Sequence, residues 1–192
     1  MLVTALRDMP ADQQKESWNE QITTLRDSIR RAFPVVVYTG QVTHCDGAWL
    51  PQLTEENAIH DDDMFVYEGL HGREWTDVSV QLLRDEPDGF VLLTDKALVA
   101  YLAAWLMGSL DDINAKNEVR EFVVYSFSHS AQNLRALNRE QRAIVRALLA
   151  FFHEHEPDRY IRERCSEALS HIDKLERDII SLPWLDRSGD NH

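Results

Sequence analysis

The sequence has few of the residues that mark catalytic chemistry or secretion. Its two cysteines, Cys45 and Cys165, lie far apart and match no metal-binding or redox spacing. Its seven glycines are scattered and form no phosphate-binding loop. A chain without a disulfide framework suits a reducing compartment, so we expect a cytoplasmic protein. These patterns identify no catalytic residue and no cofactor, and they leave open whether the protein is an enzyme.

Long apolar runs are missing as well. The uncharged run from Ala97 to Leu110 is shorter than the ~20 residues that a bilayer span needs, so we expect no membrane segment. No basic and then apolar stretch opens the chain, and we therefore expect no signal peptide. The hydrophobic content is 44 % and the chain has five tryptophans, which is typical of a folded core. We predict one domain over residues 1–185 and a frayed tail over residues 186–192.

The segment at residues 94–108 is the best candidate for the centre of the fold. Thr94 can cap a helix N-terminus, and Asp95 suits the positive end of the helix dipole. Large apolar residues follow at spacings of three and four: Leu98, Tyr101, Leu102, Trp105 and Leu106. The opposite face is apolar too, so neighbours must cover this helix on every side. We therefore predict a mainly α, single multi-helix domain around a buried central helix at 94–108, with at most a small β element.

Other helices are predicted on both sides of this segment. Residues 12–33 repeat apolar side chains at helical spacing and stop before Pro34. Asn138 and Gln141 form a capping-box pattern ahead of another helix, which Pro157 ends.

Three stretches favour extended backbone instead. Residues 35–38 are rich in valine, and we expect a short strand there. Residues 90–93 are expected to be extended and to lead into the central helix. Residues 119–127 combine valine, phenylalanine and tyrosine without clean alternation, so they fit either a strand or a helix.

The C-terminal region repeats an apolar residue alternately every three and every four positions. The repeat consists of Ile161, Cys165, Ala168, Ile172, Leu175, Ile179 and Leu182. This pattern is typical of a helix that packs nearly parallel to a neighbour. One hypothesis is therefore a structural module that is either a monomer or a homodimer through residues 161–182.

Negative charge is concentrated in one segment of the chain. The formal net charge is −13, and thirteen acidic but only three basic residues lie between His44 and Lys96, so this segment contributes −10. Such a field repels nucleic acid and anionic lipid and attracts a basic protein surface. The predicted partner-binding residues are Glu55, Glu56, Asp61, Asp62, Asp63 and Glu68. The alternative is a solubilising acidic face without a partner.

The same segment holds the densest set of possible metal ligands. They are His60, Asp61, Asp63, Glu68 and His71. Glu68 and His71 are three residues apart and would share a helix face, a spacing that di-iron bundles use twice together with two further glutamates. The chain has one copy of this spacing, and oxygen-rich clusters suit Mg²⁺ or Mn²⁺. A metal-dependent enzyme that uses this cluster is therefore an alternative function, and a solvated acidic surface is the alternative explanation.

A row of arginines precedes the C-terminal helix. Arg139, Arg142 and Arg146 follow at spacings of three and four, and we expect them to lie opposite the buried face of their helix. They form either a solvated face or an intramolecular clamp onto the acidic segment, because arginine forks bind carboxylates in two places at once.

Several motifs occur together over about residues 30–152. They are Ala32-Phe33-Pro34, Glu68 followed by Trp75, Leu93-Thr94 leading into Tyr101 to Leu106, and Leu137-Asn138 with Gln141, Ala143 to Val145 and Leu148-Leu149. In this combination the chain resembles the uncharacterised bacterial family called domain of unknown function 6714. It departs from that family at Ala103, where the family pattern has a proline. The resemblance implies a mostly helical fold and brings no known activity, so no functional residue is carried over.

The leading functional hypothesis follows from the charge and from the missing catalytic patterns. We expect a non-enzymatic, cytoplasmic protein-binding module whose acidic segment engages a basic protein partner. One form of this hypothesis is an immunity or antitoxin protein that blocks a basic toxin.

Overall fold

The computed structural model describes residues 11–43, 61–111, 117–129 and 132–180. Seven α-helices lie within these ranges: α1 Ala11–Ala32, α2 Asp61–Leu70, α3 Val80–Asp85, α4 Asp95–Ser109, α5 Glu118–His129, α6 Arg139–His155 and α7 Arg159–Ile180. Three short 3₁₀ helices connect them at Trp75–Asp77, Gly89–Leu92 and Gln132–Ala136. The β structure of the same ranges is one antiparallel bridge between Thr43 and Leu93. The predicted mainly α fold is confirmed.

Helix α4 is the predicted central helix, and it begins as predicted. The Thr94 hydroxyl accepts a hydrogen bond from the Ala97 backbone N–H at 3.4 Å, and Asp95 lies in the first turn. The helix packs against α1, α3, α5 and all three 3₁₀ helices. Its large side chains are sealed from solvent, with Tyr101 and Trp105 both 0 % exposed. Because α4 has no polar face, its burial requires neighbours on every side, and the structure supplies them.

Two aromatic residues of α4 also hold the connections around it. The Tyr101 hydroxyl lies 2.9 Å from the carbonyl oxygen of Leu70 and 3.2 Å from that of Arg73, and burial raises the pKa of Tyr101. The Trp105 indole N–H donates to the carbonyl oxygen of Glu86 at 3.2 Å. These bonds satisfy the polar ends of two otherwise apolar side chains and fix the ends of α2 and α3 against α4.

The three C-terminal helices pack together beside the central helix. Helix α7 contacts both α5 and α6 along its length. The buried positions of its repeat are Ile161, Cys165, Ala168, Ile172 and Leu175. These positions of the repeat therefore pack within the chain, and a homodimer through residues 161–182 stays an untested prediction. Leu182 lies outside the described ranges.

The structure decides one open alternative and overturns one prediction of extended backbone. Residues 119–127 belong to α5, because burial of Val119, Val123, Val124 and Phe127 at helical spacing outweighs their β propensity. Residues 89–92 form a 3₁₀ helix rather than an extended lead-in.

The predicted strand at 35–38 is not formed, and these residues pair with no other segment in the described ranges. Its valines face solvent, and Val37 is 51 % exposed. A strand needs a neighbour to satisfy its backbone groups, so β propensity alone does not make one here.

A buried ion pair joins four helices on the side of the core away from α2. Arg120 of α5 donates to Glu156, just after α6, at 3.0 Å, and the two side chains are only 3 % and 8 % exposed. The same guanidinium donates to the carbonyl oxygens of Ser109 and Asp111, at the end of α4. The Glu156 carbonyl oxygen accepts from Arg162 of α7 at 2.6 Å. These bonds fix the ends of α4 and α6 against the starts of α5 and α7.

Truncation of a central side chain should be costly. We expect Leu102→Ala to lower the free energy of unfolding by about 2–5 kcal/mol, because it removes a fully buried side chain and leaves a cavity. Urea denaturation gives this value. Val91→Ala, at an exposed position, is the matched control and should change stability by less than about 0.5 kcal/mol. Equal losses in the two variants would show that α4 is not central.

Removal of one charge of the buried pair should be costly as well. We expect Glu156→Gln to destabilise the fold by about 3–5 kcal/mol, since it removes the charge of a buried carboxylate that pairs with the buried Arg120 guanidinium. Glu154→Gln, an isosteric change at an exposed position two residues away, serves as the control. Denaturation curves for both variants test the prediction, and it fails if Glu156→Gln costs no more than the control.

Candidate functional site

The predicted acidic binding residues lie only partly within the described structure. Glu55 and Glu56 fall in residues 44–60, outside the described ranges. The backbone of Asp61, Asp62 and Asp63 opens α2, but their side chains are not among those described. Glu68 is exposed near the end of α2. The prediction that these six residues bind a partner remains untested.

Other carboxylates of the same segment are solvent-facing. Asp77, Asp85 and Asp95 are exposed, and Glu74 and Asp88 are half-buried. Within the described part of the chain, neither these five residues nor Glu68 takes part in an ion pair. Their negative charge is therefore not neutralised by the fold itself.

The acidic residues of α7 behave differently, because each of four is paired with an arginine. The pairs are Arg142 with Glu176, Arg146 with Asp173, Arg159 with Glu163 and Arg164 with Glu167. Two groups of carboxylates thus differ: four on α7 are paired with arginines, whereas the six named above are not paired among the described residues.

The arginine row predicted to be a solvated face or a clamp onto the acidic segment does something else. Arg142 is buried, donates to Glu176 of α7 at 2.6 Å and also bonds the carbonyl oxygen of Leu137. Arg146 donates to Asp173 one turn further along. The clamp exists, but it holds α6 to α7, so its predicted target was wrong. Arg139 is exposed, as a solvated face requires.

The predicted metal site is not assembled from the residues that the structure describes. Among these residues, no three histidine, cysteine, aspartate or glutamate side chains lie close enough to hold an ion. The His71 ring stacks on Tyr67 with 4.8 Å between ring centroids. His60 and the side chains of Asp61 and Asp63 lie outside the described part, so the metal site stays a prediction.

A cleft that the sequence analysis did not identify lies between α1, the Trp75–Val80 connection and the end of α4. Its volume is about 380 Å³. The lining residues are Arg26, Arg30, Trp75, Thr76, Val78, Val80, Leu83, Ala104, Met107, Gly108 and Asp111. Two cations thus stand beside an apolar floor. The only sequence signal was that Arg26 and Arg30 are four residues apart, which places them on one face of α1.

The comparisons with known proteins are negative. No family model, no curated protein and no solved structure matches this chain. The resemblance to domain of unknown function 6714 therefore stays a prediction. In the described ranges, every helix is too short or too polar to cross a bilayer.

One titratable side chain lies in the seam between α1 and α6. His155 packs against the rings of Trp18 and Phe151, with centroids 5.2 Å and 4.7 Å away, and its Nε2 lies 3.3 Å from the Gln21 side-chain oxygen. Burial lowers the pKa of His155, and the nearby Glu154 carboxylate offsets this only in part. The neutral imidazole is therefore the form that the seam stabilises.

This shift predicts a pH-dependent stability. The folded state binds a proton at His155 less readily than the unfolded state, whose pKa is about 6.5. The stability that neutral His155 contributes is fully present above about pH 6.5. It is lost as the pH falls from about 6.5 towards the lower folded-state pKa. We expect wild-type protein and the exposed-site control His153→Gln to lose stability between about pH 7 and pH 5, and His155→Gln to lose less. Denaturation curves at several pH values give the free energy of unfolding as a function of pH. An equal pH dependence in both variants would contradict the assignment.

Proposed function

We propose that this protein is a non-enzymatic, cytoplasmic protein-binding module that engages a basic partner through its acidic segment. The observation that supports this is the set of unpaired carboxylates at Glu68, Glu74, Asp77, Asp85 and Asp95. Carboxylates without counter-charges attract a basic partner surface and speed its association.

The contrast with α7 makes a purely solubilising explanation less economical. The fold pairs four carboxylates of α7 with arginines, yet among the described residues no ion pair forms at Glu68, Glu74, Asp77, Asp85 or Asp95. Complementary charge increases the association rate and excludes acidic competitors. An immunity or antitoxin protein that blocks a basic toxin is one form that this function would take.

Affinity capture with purified full-length protein tests the proposal. We expect a basic protein to be captured from native lysate at ~0.15 M salt and released at ~1 M, where the Debye length falls from ~8 Å to ~3 Å. A triple variant, Glu68→Gln with Asp77→Asn and Asp85→Asn, should weaken capture by about ten-fold or more, equivalent to about 1.4 kcal/mol.

The matched control changes the net charge by the same amount elsewhere. Glu16, Glu20 and Glu140 are exposed and form no ion pair among the described residues, so their replacement by glutamine should leave capture intact. The proposal is refuted if no basic protein is captured, or if the two triple variants weaken capture equally.

A further inference from the structure

The cleft beside α1 carries positive charge in a protein whose net charge is −13. Arg26 and Arg30 form its rim, and Asp111 is the one acidic residue among its lining side chains. Arg26 donates to Asp111 through Nη2 at 2.7 Å, so one cation is paired across the cleft. Arg30 is 56 % exposed at its side chain and is paired with Asp27, a neighbour on its own helix, at 3.0 Å. The lining side chains themselves are two cations and one anion, because Asp27 lies outside the lining.

The cleft also has two buried hydrogen-bond donors that are not satisfied. The Arg26 Nε and the Trp75 indole N–H are buried and have no acceptor among the described residues, although both residues line the cleft. A buried donor without an acceptor costs free energy. A ligand that supplies oxygen acceptors would relieve this cost after a small rotation of either side chain.

The floor of the cleft is suited to an apolar group. Val78, Leu83, Ala104 and Met107 line it, and Val80, which is 54 % exposed, stands at its edge. A volume of about 380 Å³ falls in the range of ~300–1,000 Å³ that small-molecule sites occupy. Such sites combine an apolar lining with a few convergent polar groups, and this cleft has both.

We propose that the cleft binds a small organic carboxylate, with the carboxylate at Arg26 and Arg30 and an apolar body on the floor. A guanidinium fork matches the two oxygens of a carboxylate, and its charge selects against amines of the same shape. The apolar body would be the size of a short acyl chain or of one ring system. The lining includes none of the five carboxylates proposed above to bind a partner, and the ligand proposal does not depend on that partner.

Three probes of one shape test the charge selection: octanoate, octanol and octylammonium. We expect octanoate to bind in calorimetry and to raise the melting temperature, and the other two to bind at least about ten-fold more weakly. The chain has four methionines, so ¹³C-methyl labelling gives few signals, and Met107→Leu identifies the one in the cleft. Octanoate should shift the Met107 methyl resonance more than the others.

Two pairs of variants locate the site. Arg30→Gln should weaken octanoate binding about ten-fold, whereas Arg31→Gln, an exposed neighbour that does not line the cleft, should change it less than about two-fold. Val80→Asp should weaken binding, and Val91→Asp, also exposed but outside the cleft, should not. All four positions are exposed, so the fold should survive each change.

Several results would overturn this proposal. They are the absence of octanoate binding, equal binding of octanoate and octylammonium, an unmoved Met107 resonance, or equal losses in Arg30→Gln and Arg31→Gln. Because neither arginine variant alters the acidic segment, such a failure would leave the partner-capture experiment unaffected.

Discussion

The architecture depends on a helix that has no polar face to expose to water. Helix α4 is buried around its whole circumference, so the rest of the chain must surround it. Long helices cover part of its surface, and the short elements between Trp75 and Leu92 cover another part. The polar atoms of Tyr101 and Trp105 then decide where those short elements sit, because each needs a backbone acceptor inside the core.

The fold pairs some carboxylates with arginines and leaves others exposed to solvent. Arginines of α5, α6 and α7 hold helix ends and helix faces together, with Arg120 and Glu156 as the buried example. Among the described residues, no such pair forms at Glu68, Glu74, Asp77, Asp85 or Asp95. A buried ion pair is a weak source of stability but a strong constraint on geometry. The unpaired carboxylates, in contrast, are available for recognition.

Structural features that depend on residues close together in the chain were predicted from the sequence. The sequence predicted the Thr94 cap, the Asn138–Gln141 capping box and the apolar repeat of α7. Each of these patterns depends on spacings of only three or four positions. Residues 119–127 were ambiguous because their β propensity competes with burial that only tertiary packing supplies. The partner of Arg142 lies 34 positions away, and the cleft combines α1 with residues 75–80 and α4. Both features depend on residues that are distant in the chain, so no local sequence pattern predicts them.

The packing of α5, α6 and α7 makes the reactivity of Cys165 a measure of how often these helices separate. Cys165 lies at 0 % exposure in that packing, and burial, with the Glu156 carboxylate adding to it, raises the pKa of its thiol to about 12. Only a thiolate attacks a disulfide reagent, and here it is both scarce and shielded. Modification of Cys165 must therefore wait for the helices to separate, and the rate of its labelling in native buffer counts those openings.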